Sequence, residues 1–166
     1  MKPTDIKSSE ILSWAQEKVK KQHLPIPKKP EQELEEYELP DNFADMNSIE
    51  LSQWASWFNA WYSRTVWLLG LCESELLLVE NEYRLKINSK GGIIREKRGR
   101  VSEAVIESLV LADDGEMGEI YQRRLELLSL RPQLDALIKV YERSTYALSR
   151  ELSRREYEAR IVGTGG

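Results

Sequence analysis

Apolar and neutral residues recur at 51, 54, 58, 61, 65, 68, 72, 76, 79, 83 and 87, in steps of three and four that mark one α-helical stripe. Met46-Asn47-Ser48-Ile49-Glu50-Leu51 signals where this helix starts. Asn47 is placed as N-cap, Glu50 as its reciprocal partner, and Met46 opposite Leu51 as a hydrophobic staple. Unbroken over 47–88, the helix spans roughly 60 Å at about 1.5 Å per residue. Tyr62, Val66, Trp67, Leu69, Leu71, Leu77 and Leu78 lie off the stripe, so residues 62–79 are apolar nearly all round. A helix of that kind is buried on every side, and one return helix does not cover it. Self-association follows as an expectation, with Trp54, Trp57, Trp61, Trp67, Leu68 and Leu71 at the interface. Trp54, Trp57 and Trp61 lie on or beside the stripe among aliphatic residues and Trp67 lies almost opposite, which suits core or interface packing better than base stacking.

A shorter helix is predicted over 9–21, capped by Ser9, with Glu10 in its first turn and Lys18, Lys20 and Lys21 in its last. Leu24-Pro-Ile-Pro-Lys-Lys-Pro then forbids helix, and residues 31–50 hold eight acidic side chains and no basic one. Beyond the long helix, Ser102 is positioned to cap a helix containing Val105, Ile106, Leu109 and Val110, which Ala112-Asp-Asp-Gly115 breaks. A last helix runs from about Glu116, with Pro132 expected to kink or interrupt it and the chain fraying from Arg160. The predicted division is a short amphipathic helix (1–22), a Pro-rich acidic linker (23–46), a helical binding and oligomerisation domain (47–160) and a disordered tail (161–166). The fold class is all-α: a long antiparallel helical hairpin with a short intervening helix, assembling as a helical oligomer behind a flexible N-terminal segment.

Composition removes much chemistry. With one cysteine (Cys72) and one histidine (His23), no zinc cluster, disulfide framework or Ser-His-Asp triad can be assembled. Cys72 falls on the apolar stripe, where it acts as a small hydrophobe. Asp113-Asp114-Gly115-Glu116 lacks EF-hand spacing, and Glu73, Glu75, Glu80 and Glu82 include no Glu-x-x-His. No catalytic residue, metal site or cofactor is expected. The opening Met-Lys-Pro-Thr-Asp is not expected to act as a signal peptide, and the longest uncharged apolar run, Thr65 to Cys72, is far short of a membrane span. A cytoplasmic protein without membrane contact is the expectation.

Charge points elsewhere. Lys86-Ile-Asn-Ser-Lys-Gly-Gly-Ile-Ile-Arg-Glu-Lys-Arg-Gly-Arg100 carries six Lys/Arg against one Glu in a chain whose formal net charge is −4. Gly91-Gly92 predicts that it leaves the helix as a loop. Lys90, Arg95, Lys97, Arg98 and Arg100 could then meet phosphates, with Gly91 and Gly92 letting backbone approach closely; a solvated loop is the alternative. No P-loop pattern is present. A second basic patch comprises Arg150, Arg154 and Arg155, with Arg143 and Arg160 nearby.

The order of parts resembles the phage UvsY-type recombination mediators over about residues 47–160. It is carried by the capped, aromatic-rich Leu51-Ser-Gln-Trp-Ala-Ser-Trp-Phe, the run ending Glu82-Tyr-Arg-Leu-Lys86, the Gly-containing basic turn, Ser102-Glu-Ala-Val-Ile-Glu-Ser-Leu-Val-Leu-Ala, and the last helix with Leu134-Asp-Ala-Leu-Ile and Ala147-Leu-Ser-Arg-Glu. The resemblance implies a helical, ring-like homo-oligomer that binds single-stranded DNA and loads a RecA-like recombinase onto strands covered by single-strand-binding protein. Carried over by position, Lys86, Lys90, Arg95, Lys97, Arg98 and Arg100 would face DNA. Residues 1–45 have no counterpart there, and the net charge is acidic. The eight acidic residues of 31–50 contribute −8 to the net −4, so the remainder sums to +4. A non-enzymatic mediator is the reading favoured; the alternative is a helical structural or adaptor protein acting through protein–protein contacts.

Overall fold

A computed structural model describes residues 2–31 and 39–164, with backbone alone for 162–164. Residues 32–38 of the predicted acidic linker and 165–166 of the predicted tail lie outside that description. The protein is all-helical, with α1 (Ser8–Lys21), α2 (Ser48–Arg98), α3 (Glu103–Asp113) and α4 (Gly115–Thr164), and no strand among the described residues. The last helix is therefore helical beyond the expected fraying point at Arg160. Two compact units divide the chain: residues 1–25 with 70–132, and 26–69 with 133–166. The division crosses α2 after Leu69 and α4 after Pro132.

In the second unit (26–69 and 133–166), α2 starts as its sequence dictates. The Asn47 side-chain oxygen accepts from the Ile49 and Glu50 amides at 3.0 and 2.9 Å, while Glu50 accepts from the Asn47 amide at 3.1 Å. The core is Leu51, Trp57, Phe58, Tyr141 and Leu148. Phe58 and Trp61 pack on Tyr141 with centroids 6.2 and 6.4 Å apart. Arg155, further along α4, donates to the Met46 and Ala44 carbonyls ahead of α2. Low-numbered residues thus meet high-numbered ones, and the two helical segments run antiparallel. Residues of the predicted linker join this unit. Leu39, Phe43 and Met46 pack on the core, and Arg64 donates to the Pro27 carbonyl at 2.9 Å.

The predicted interface residues sit largely inside this chain's own packing. Trp57 is only 7% exposed, and Trp54 and Trp61 lie half-buried against the same cluster. The intrachain core therefore accounts for Trp57. Trp67 is half-buried under the Arg64 guanidinium, 4.8 Å from its ring, and Leu68 is half-buried too. Leu71, in the first unit, is also half-buried. The apolar middle of α2 is not covered on every side, since Val66 and Leu77 are exposed.

In the first unit (1–25 and 70–132), α2 and α4 are again antiparallel, as the pairs Glu73–Arg131 and Glu75–Arg123 show at 3.0 and 2.6 Å. Cys72 is buried, its thiol 3.6 Å from the Leu127 carbonyl. Burial, then Glu75 and Glu73, push the thiol's pKa up. Tyr83, Ile106, Val110 and Met117 form the core, with Ile87, Ile94, Val101 and Tyr121 around it. The start of α1 is tied down by the Ser8 amide, which donates to Glu82 at 2.8 Å. Asp114 alone separates α3 from α4, and its side chain caps the Glu116 amide at 3.0 Å.

Two breaks expected from composition are absent. Helix α2 runs through Gly91-Gly92 to Arg98, and Gly99, at φ +77°, ends it. Two glycines cost a helix about 2 kcal/mol relative to alanine, but Tyr83, Ile87 and Ile94 pack there against α3, and that burial offsets the cost. Gly91 also has a packing reason: a β-carbon on it would lie 3.0 Å from Ile106 Cγ2. Likewise α4 passes through Pro132 uninterrupted. Pro132 is exposed, so the Leu128 carbonyl that loses its helical donor can meet water.

Candidate nucleic-acid interface

The segment predicted as a basic loop is the last three turns of α2 and a short turn to α3, and helical geometry sorts its cations. Lys86 points inward and is 8% exposed, with its ammonium 2.8 Å from Glu116 and 3.3 Å from Glu82. Burial would lower its pKa, but hydrogen bonds to Glu116 and Glu82 outweigh that and hold it above the usual lysine value. Lys90 is half-buried and pairs with Asp114. Arg95 stands 4.0 Å from Glu103 with both side chains exposed, a contact of little energetic weight.

Beyond Arg95 the pattern changes. Lys97, Arg98 and Arg100 are exposed and form no ion pair among the described residues. Lys97 and Arg98 edge a groove of ≈ 560 Å³ lined also by Ile93, Ile94 and Leu109. Their position in the final turn of α2 complements the helix dipole. Gly91 is buried against α3 and does not present backbone to a ligand, whereas Gly92 has open space where a β-carbon would stand. Of the predicted cluster, the structure leaves Lys97, Arg98 and Arg100 together and available, and commits Lys86 and Lys90 to holding helices together.

The predicted C-terminal patch belongs to the second unit and divides in the same way. Arg154 is held by Glu151 and Glu158 at 2.7 and 2.5 Å. Arg155 bonds Glu151 and the two carbonyls ahead of α2. Hydrogen bonds from Arg154 and Arg155 pull the Glu151 carboxyl down to about 2. Arg150 is exposed and without an ion pair among the described residues, as is Arg143 two turns earlier. Tyr146 and Tyr157 share their face of α4, at 70% and 67% exposed. Neither tyrosine is among the candidates that the sequence suggests, although their steps of three, four and seven from Arg143 and Arg150 carry the signal.

Among the described residues, no group of three or more His, Cys, Asp or Glu stands in metal-binding arrangement, and no helix is long and apolar enough to cross a membrane. Comparison with protein-family models, curated proteins and solved structures gives no match.

Proposed function

We propose that this protein is a non-enzymatic, single-stranded-DNA-binding accessory protein of the recombination-mediator kind. It acts as a homo-oligomer that holds strands for a RecA-like recombinase in competition with single-strand-binding protein. The observation that carries the reading is the end of α2, where Lys97, Arg98 and Arg100 are exposed with no carboxylate partner among the described residues. One such cluster binds phosphates weakly, and several copies in one assembly convert weak contacts into avidity. Support for assembly comes from the exposed Val66 and Leu77 on α2 and Leu137 and Val140 on α4.

Anisotropy titration with labelled single-stranded DNA over a salt series, with light scattering for mass, tests this. Tight binding at low salt should weaken by roughly 0.7 log units per log unit of salt for each phosphate contacted, with a mass above the monomer. No binding at low salt, or a monomeric mass, rejects the reading. The second reading, a helical adaptor, is favoured by Leu77, Leu85, Leu125 and Leu128, exposed along α2 and α4 of the first unit. A multimer or partner complex without DNA affinity is its expected outcome.

A further inference from the structure

The geometry points to a second strand-binding face, on α4 in the second unit, where Tyr146 and Tyr157 stack bases and Arg143 and Arg150 neutralise phosphates. It rests on the reading of the protein as a single-strand binder and adds a site distinct from the end of α2. Residues 143, 146, 150 and 157 fall on one helical face at steps of three, four and seven. They line one open groove of ≈ 900 Å³, with Phe43 contributing a further aromatic wall.

Two facts argue for a nucleic-acid strand as occupant. The first is exposure: Tyr146 and Tyr157 keep 70% and 67% of their surface open, although each ring could bury a large apolar area. The second is charge. Arg143 and Arg150 have no ion pair among the described residues, while Glu151 at the groove edge is already held by Arg154 and Arg155. The groove's other carboxylate is Glu142, beside Arg143. Arg143 to Tyr157 covers about 21 Å of helix, near the length of six stacked nucleotides at about 3.4 Å each. Aromatic rings alternating with unpaired guanidinium groups form the stacking-plus-phosphate surface used for sequence-tolerant strand binding.

The test uses the full chain with fluorescein-labelled oligothymidylate, and a matching oligonucleotide bearing 5-iododeoxyuridine for photo-crosslinking. Crosslinks are expected at Tyr146 and Tyr157. Tyr146→Ala and Tyr157→Ala should each weaken binding at least about fivefold, with the phenylalanine variants within about twofold of the parent. Arg143→Ala with Arg150→Ala should reduce the salt slope by about 1.4, and circular dichroism confirms that each variant remains helical. Binding that is unchanged in all of these variants, with no crosslink at Tyr146 or Tyr157, overturns this face and leaves the α2 site standing. A reduced assembly mass with unchanged DNA affinity assigns the face to contacts between protein copies and overturns it too. Absence of binding by the parent protein removes both sites together.

Discussion

The side chain of Ile106 on α3 occupies the space a β-carbon at position 91 of α2 would need, its Cγ2 3.0 Å from that point. Gly92, one residue on, has nothing within 4 Å of the equivalent point. Adjacent glycines should therefore respond oppositely to substitution. Gly91→Leu overpacks the α2–α3 contact and should cost about 1–3 kcal/mol. Gly92→Ala removes a helix-breaking residue at an open site and should gain up to about 1 kcal/mol. Thermal unfolding of the two variants checks this, and equal shifts would contradict the contact.

The buried pair Glu82–Lys86 should give stability a definite pH window. Burial alone would raise the Glu82 carboxyl, but the Ser8 amide and hydroxyl and the Lys86 ammonium outweigh it, leaving its pKa below the ordinary value of 4.5. Its contribution is therefore complete above pH 4.5 and lost as pH falls through the depressed folded-state value. Lys86 is shifted the other way, so its contribution is complete below pH 10.5 and lost as pH rises through the elevated value. Glu82→Gln should cost about 1–3 kcal/mol at neutral pH, with the deficit closing in acid. Urea denaturation at neutral pH and in acid measures it; a deficit independent of pH would speak against the pair.

Tyr83 donates its hydroxyl to Glu107 at 2.5 Å. Burial first, then the carboxylate, pushes the phenol well above its usual range. In an alkaline absorbance titration, Tyr83 should ionise well above the ordinary tyrosine value and only as the fold gives way. Stability held by the neutral phenol is present at neutral pH and is lost as pH rises past the ordinary tyrosine value. Tyr83→Phe should delete the late step and cost about 1 kcal/mol. Loss of a step at the ordinary tyrosine value instead would place Tyr83 in water.

Local signals were legible and long-range ones were not. The capping box at Asn47 and Glu50 and the break at Asp114 use side chains within three residues of the backbone they serve, so sequence spacing alone places them. The continuation of α2 past Gly91 depends on Ile106, fifteen residues away, and on the apolar face of α3. Charge counts also mislead: Lys86 and Arg98 look equivalent in sequence, but helical phase turns one onto Glu82 and Glu116 and the other to solvent. Candidate cations became separable only when their phase on α2 was known.

That separation yields the sharpest contrast among the basic residues. Arg155 fastens the chain ahead of α2 through the Met46 and Ala44 carbonyls at 2.5 and 2.7 Å, and within α4 it pairs with Glu151 at 2.8 Å. Lys97, Arg98 and Arg100 fasten nothing among the described residues. Arg155→Ala should lower stability and speed amide exchange in residues 43–46, leaving the salt dependence of the proposed single-strand binding unchanged. Replacing Lys97, Arg98 and Arg100 together by alanine should do the reverse. Stability would stay within about 0.5 kcal/mol of the parent, while the salt slope falls by about 2, at roughly 0.7 for each phosphate no longer neutralised. Hydrogen exchange and anisotropy on the same preparations distinguish the two. A triple variant that binds like the parent would remove the α2 cluster from the proposed DNA path, and an Arg155 variant with a reduced slope would move Arg155 into it.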